Sequence, residues 1–219
     1  GLVGWWKFDE GSGTTANDSS GNGNNGTLVN GPAWTTGQNN GALSFNGANS
    51  CVNLSQPVAL NLRGALTISI WINPTSSAFG KQVIGKGALG GGQSAQQFFV
   101  RDSGSNRFGF FVNNSTSSLG GDLSTANPIP NGTWAHFVGT YNGSDTVNIY
   151  QNGVLLKTFT SAGFGALNST AGNMVIGATH GSSVCNSAFF NGLIDDVRVY
   201  SRALSADEVS AFYALGGST

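Results

Sequence analysis

Glutamate occurs in this chain only as Glu10 and Glu208, histidine only as His136 and His180, and cysteine only as Cys51 and Cys185. These few residues limit the covalent and acid-base chemistry available. Glycoside hydrolysis normally uses two carboxyl groups about 5 to 9.5 Å apart, and neither glutamate has an obvious carboxylate partner. Glu208 stands three residues after Ser205, the spacing of a helix capping box. Asp195 and Asp196 are adjacent, which on a regular strand sends their side chains to opposite faces. His136 and His180 remain as candidate bases, although a packed, hydrogen-bonded histidine is the ordinary explanation for His136 within an apolar strand. A different chemistry suits the stretch from Asp18 to Gly26, which offers a carboxylate, three asparagine amides and glycine-shaped carbonyls. Hard oxygen donors gathered from a curling loop are what Ca²⁺ requires. The same residues could instead form Asx turns, and Asp195 and Asp196 could pair with Arg198 or Arg202.

The composition points towards neutral, hydroxyl-rich partners. Charged residues are 9% of the 219, the formal net charge is -1, and Gly, Asn, Ser and Thr dominate. No basic stripe is present to neutralise phosphates, which argues against nucleic acid and anionic membranes. Sugar rings stack on aromatic planes while their hydroxyls bond to amide, guanidinium and carboxylate groups, and the chain is rich in such side chains. No apolar run approaches the roughly 18 to 20 residues needed to cross a bilayer. Gly1 opens into an apolar strand without a charged start, so the segment reads as mature or as cut from a larger secreted protein. Cys51 and Cys185 are either a disulfide or two buried thiols; the exported character of the composition favours the bridge.

Many short strands must position these groups. Leu66, Ile68, Ile70 and Ile72 alternate with Thr67, Ser69, Trp71 and Asn73, giving one core face and one face carrying Trp71. Trp71 would line the concave sheet or be covered by a loop. Further strands are expected at Ala42–Phe45, Phe98–Arg101, Phe108–Val112, Trp134–Tyr141, Val147–Gln151, Met174–Ile176 and Leu193–Tyr200. Asn152-Gly153 between two apolar runs is the residue pair of a type I′ hairpin, and Asn142-Gly143 marks another turn. Trp5 alternates oppositely to Trp6 and Phe8 and is the better surface candidate; Trp34 follows Pro32 as a platform or a plug. The glycine-rich run Ala78 to Gln97 is expected to be a long irregular loop and a candidate binding loop. A short peripheral helix should begin after Ser205. Regularly spaced strands and turns over this length imply one all-β sandwich domain spanning residues 1–219.

Taken in order, Trp6–Gly13 (WKFDEGSG), Asp18–Leu28, Gly41–Phe45, Ile68–Ile72, Trp134–Tyr141 and Gly192–Ser205 (GLIDDVRVYSRALS) resemble the laminin-G-like, concanavalin A-like jelly-roll modules of bacterial polysaccharide-active enzymes. The resemblance spans nearly the whole chain. It implies an antiparallel two-sheet jelly roll with a structural calcium held by Asp9, Asp18, Asn22, Asn24, Asp195 and Asp196. It further implies a concave sheet whose rim carries Phe79, Phe189 and Phe190, with Lys81, Lys86, Gln96, Arg101, Arg107 and His180 as polar company; Trp71 is added to this sugar-contacting set from its alternation. The run Gln82–Gly85 is similar to the Gln-Val-His strand of jelly-roll lyases, but lacks the histidine. Glucanases of the fold carry closely spaced Glu and Asp on one strand, which this chain does not. The expectation is a secreted, non-catalytic carbohydrate-binding module with an appended catalytic domain; the alternatives are a structural or protein-interaction laminin-G-like domain and, third, a lyase or hydrolase.

Overall fold

The computed structural model describes residues 1–87, 96–123, 127–180 and 184–216. Their strands are β1 (Leu2–Trp6), β2 (Thr15–Ala16), β3 (Gly26–Val29), β4 (Ala33–Thr36), β5 (Gly41–Asn46), β6 (Cys51–Asn53), β7 (Leu66–Pro74) and β8 (Gln82–Gly87). The second half of the chain adds β9 (Gln96–Asp102), β10 (Phe108–Asn113), β11 (Ser118–Asp122), β12 (Ala135–Tyr141), β13 (Thr146–Gln151), β14 (Val154–Thr160), β15 (Met174–Ile176) and β16 (Asn191–Tyr200), followed by α1 (Ala206–Ala214). All paired strands run antiparallel in two sheets. The first has the order β14-β13-β12-β7-β16-β5-β4, with β1 also on β16; the second runs β11-β10-β9-β8-β15-β6-β3-β2. This is the expected jelly-roll sandwich.

Period-two alternation builds the core. Leu66, Ile68, Ile70 and Ile72 of β7 are fully buried and meet Phe98, Val100, Phe108, Phe110 and Val112 of the second sheet in one cluster. Gly139 of β12 exists to make room: a Cβ there would collide with the ring of Phe110. The Asn152-Gly153 turn has φ of 51° and 79°, the left-handed pair that a type I′ hairpin needs. Asn142 turns the preceding hairpin by accepting from the N–H groups of Ser144, Asp145 and Thr146.

Three expectations change. The run Ala78–Gln97 is not one loop, because Gln82–Gly87 forms β8 and pairs with both β9 and β15; residues 88–95, including the glycine triplet, lie outside the described residues. A helix does begin at the Ser205–Glu208 capping box, but it is not peripheral. Val209 is fully buried, and Tyr213 stacks on Trp71 at 5.9 Å between ring centroids. Finally, β16 is interrupted at Asp196, which has φ of 49° and sits in a register shift between Asp195 and Arg198. The bulge breaks the simple up-down rule for the two aspartates.

Cys51 of β6 is joined to Cys185 by a disulfide with Cα atoms 6.1 Å apart. It lies in a small apolar cluster with Val175, Ala178 and Phe189 and ties the segment 184–190 to the second sheet. Closing a loop with a sequence separation of 134 removes enough unfolded-state entropy to be worth about 5 kcal/mol. The double variant Cys51→Ser/Cys185→Ser should therefore melt roughly 10 °C or more below the parent in a calorimetric scan.

Candidate functional site

The outer face of the second sheet gathers most of the polar and aromatic groups suited to a ligand. A register shift between Gln82 and Ile84 places both Val83 and Ile84 in the core, so Gln82 and Gly85 share the outer side. The Gln82 amide lies flat over Gly85, where a Cβ would collide with it, and its Oε1 accepts from Gln96 Nε2 at 3.2 Å. On the next strands Phe99 and Phe111 stack with centroids 4.7 Å apart and planes 13° apart. The Arg101 guanidinium covers this pair, 4.6 Å from the Phe111 centroid and 5.6 Å from Phe99, and 5.5 Å from the ring of Phe79 above it. Phe79 is 71% exposed.

Asp122 of β11 completes the group. It lies opposite Gly109 in the strand register, over the space a side chain at 109 would fill, and its Oδ2 reaches Arg101 Nη2 at 3.4 Å. The buried atoms Gln82 Nε2, Arg101 Nε and Asp122 Oδ1 have no hydrogen-bond partner in the protein. Asp102 anchors the loop that carries Phe79, accepting from the N–H groups of Ala78 at 3.1 Å and Gly104 at 2.8 Å. Burial raises its carboxyl above the ordinary value, against these bonds and the nearby charge of Arg107. On the other flank, Gln82 N–H bonds Ala188 O at 2.8 Å, holding half-buried Phe189 beside the face.

The expected sugar-contacting residues therefore divide. Phe79, Gln96, Arg101 and Phe189 come together here, and Lys81 and Arg107 stand half-exposed near the Asp102 loop. Trp71 does not join them: it is on the other sheet, 4% exposed, enclosed by His136 and Tyr213. Phe190 is in the core, edge-on to Phe108. Lys86 is fully buried, with Nζ on Gly172 O at 2.9 Å, and burial lowers its pKa. His180 is half-buried, with Nδ1 unpartnered. Trp5 is half-buried and its indole is already engaged, by Lys7 Nζ at 4.3 Å and the Arg198 guanidinium at 4.4 Å from the ring centroid. Phe99, Phe111 and Asp122 were not anticipated, although Phe99 and Phe111 alternate with the core residues of β9 and β10 and could have been found on that signal.

The expected calcium ligands also divide. Asp18 accepts backbone N–H bonds from Trp5, Ser20 and Asn24; despite burial, these and the Ser20 hydroxyl hold its carboxyl below the usual range. Asn22 and Asn24 donate their amides to β1 carbonyls. Asp196 bonds the Trp5 indole and pairs with Arg198 at 3.1 Å. Asp195 differs. It is fully buried, its Oδ2 accepts from Asn39 N–H at 2.8 Å, and its Oδ1 has no partner. Burial, reinforced by the negative charges of Asp196 and Asp9, pushes its carboxyl up to about 8. Asp9 accepts from Gly41 N–H at 2.8 Å and borders a shallow cleft of about 470 Å³ that also contains Trp34, Thr36 and Asn40. Trp34 is mainly a plug, packed on the core with its N–H on Gly13 O. Among the described residues no three His, Cys, Asp or Glu side chains are grouped as a metal cage.

A family model described as the concanavalin A-like lectin/glucanases superfamily matches residues 46–210. The chain belongs to this superfamily. Among solved structures of similar shape, domain 4 of the extracellular arabinanase AbnA from Geobacillus stearothermophilus, solved with arabinotriose, superposes with a TM-score of 0.73 at 21% identity, covering 97% of this chain and 98% of that one. The binding domain of Paraclostridial Mosquitocidal Protein 1 has a TM-score of 0.73 at 17% identity, over 97% of this chain and 51% of that one. A curated human relative, adhesion G-protein coupled receptor D1, is 27% identical over 147 residues, 64% of this chain. The chain spans 14% of that receptor's length. At these identities the solved structures establish the lectin-like fold of this superfamily member.

Two of the potential acid-base groups, Glu208 and His136, are held in structural contacts. Glu208 is bidentate to Arg202, which, with the Ser205 N–H, lowers its pKa to about 2. His136 Nε2 meets Ser69 Oγ at 2.8 Å, and burial, helped by the Arg198 charge, lowers its pKa to about 3. A histidine that resists protonation when folded loses stability as pH falls below its unfolded value, because the unfolded chain takes the proton first. Relative to His136→Gln, the parent should lose about 2 kcal/mol of urea-derived stability between pH 7.5 and 5. The comparison with the variant isolates His136 from Asp195, whose raised pKa acts in the opposite direction over this range.

Proposed function

We propose that this domain is a non-catalytic carbohydrate-binding module, secreted as part of a larger polysaccharide-active protein, that holds a glycan on the outer face of its second sheet. The observation that carries this reading is the Phe79–Arg101–Asp122 group: an exposed ring beside a partly exposed guanidinium and carboxylate, backed by the buried amide of Gln82. Aromatic planes take sugar faces, and such polar groups fix hydroxyls. The disulfide supports an oxidising compartment. The containment of Glu208 and His136 supports binding without cleavage.

A structural Ca²⁺ fits a smaller donor set than the sequence implies. Asp195 and Asp9 would supply the carboxylates, joined by carbonyls of the 37–41 loop that wraps Asp195; a buried, unpartnered Asp195 Oδ1 is an atom that a cation would satisfy. Asp18, Asn22, Asn24 and Asp196 are committed to protein partners and would remain so. The ion would pin the 37–41 loop to β16, contributing stability, far from any need to touch sugar.

A second reading, docking of a protein partner, is favoured by the exposed Val154, Leu155, Tyr213 and Leu215 around the β13–β14 hairpin and α1. Affinity electrophoresis and calorimetry against a polysaccharide panel decide between them. Glycan retardation without new reducing ends or unsaturated products, weakened about tenfold by Phe79→Ala or Arg101→Gln, is expected; no retardation by any glycan would favour docking. Calcium at about 100 times its dissociation constant should add about 2.7 kcal/mol. That raises the melting temperature by roughly 5 to 10 °C, reversibly with EDTA and not in Asp195→Asn.

A further inference from the structure

We infer that Asp122 sets the ligand class of this face: by neutralising Arg101 it selects neutral, hydroxyl-rich glycans and rejects anionic ones. The inference rests on the proposed glycan-binding reading of the face. An unpaired arginine fork among aromatic rings is a natural seat for a carboxylate or sulfate, which it grips through two parallel N–H bonds. Here one arm of the fork is already occupied. Asp122 Oδ2 lies 3.4 Å from Nη2, and the two side chains are 17% and 31% exposed, so solvent screens the pair only in part.

The backbone is arranged to keep the pair together. Gly109 stands directly across from Asp122 in the β10–β11 register, and any side chain there would collide with the carboxylate and the β11 backbone. The carboxylate can therefore lie flat on the sheet and reach across β10 to Arg101 on β9. Of the other cations nearby, half-exposed Lys81 stands at the edge by the Phe79 loop, outside the Arg101–Asp122 pair. Arg107 sits beside Asp102, and the Lys86 ammonium is turned away to Gly172 O in a buried position.

The exposure of the pair makes the same choice. Asp122 is its more open member, 31% exposed against 17% for Arg101, so an incoming ligand meets the negative charge first. A sugar hydroxyl both donates and accepts and can serve either partner. A uronate carboxylate or a sulfate only accepts and is repelled by Asp122. Neutral pyranose or furanose chains are therefore the class that fits.

The test compares the parent, Asp122→Asn and Asp122→Asn/Arg101→Gln by affinity electrophoresis in gels containing neutral polysaccharides (arabinan, β-glucan, mannan) or anionic ones (polygalacturonate, alginate). Asn keeps the shape and removes the charge; Asp122→Ser serves if the Asn variant does not fold by thermal melting. The parent should be retarded by a neutral polymer and not by the anionic ones. Asp122→Asn should gain about fivefold in retention on the anionic gels, the scale of a partly exposed charge pair, and lose the gain in about 0.5 M salt, where the screening length is a few ångströms, and in the double variant. Parent binding to anionic polymers as tight as to neutral ones, or no gain in the variant, would overturn the inference while leaving the glycan face standing. Neutral-glycan binding insensitive to Phe79→Ala and Arg101→Gln, or no binding to any polymer, would overturn both.

Discussion

Tyr213 of α1 rests on Trp71, and Trp71 in turn lies 5.1 Å from the His136 ring. This stack covers the middle of the outer side of the first sheet. Around it, Thr67 accepts from Leu204 N–H and donates to Arg202 O, while Tyr200 and Val209 close a second apolar cluster. Trp71, His136 and Ser69 are polar-capable side chains on a face that would otherwise meet water, and the C-terminal segment removes them from it. The outer side of the other sheet keeps the exposed Phe79 and the partly exposed Arg101–Asp122 pair.

That second face is shaped by glycine as much as by its side chains. At Gly85 and Gly109 the missing Cβ lets an amide and a carboxylate lie against the sheet, and the stacked Phe99 and Phe111 form an apolar floor between them. That floor is itself buried beneath the Arg101 guanidinium, so what it supports outward is Phe79 and the Arg101–Asp122 pair. The disulfide and the Asp102 loop hold the two flanks, with Phe189 beside Gln82 and Phe79 over Arg101.

The low charge content makes each buried ion consequential. Asp18 and Asp196 answer their desolvation with backbone N–H groups and with Arg198 and Trp5 respectively. Asp195 has less compensation, and burial shifts its proton equilibrium instead. One aspartate among four near the N-terminal strand thus stands out as the position where a cation would relieve an unmet electrostatic demand.

Local pattern determined the architecture. Alternation along β7, the Asn152-Gly153 pair and the Ser205–Glu208 box each depend on neighbours close in sequence, and each has the structure its spacing implied. Composition pointed away from phosphate-binding partners for the same reason: it is a sum over residues, independent of their arrangement. Which aromatic residues face outward was legible only in part. The alternation of Trp71 was right, but the helix that covers it comes from more than a hundred residues later in the chain. Phe99 and Phe111 were visible in the pattern, yet their meaning depended on Arg101, Asp122 and Gln82 arriving from three different strands. The β8 bulge and the Asp196 bulge turn side chains against the strict period of two. The division of the aspartates into satisfied and unsatisfied carboxylates required knowing which backbone N–H groups the fold brings to each. Those are long-range pairings, and only the tertiary structure decides them.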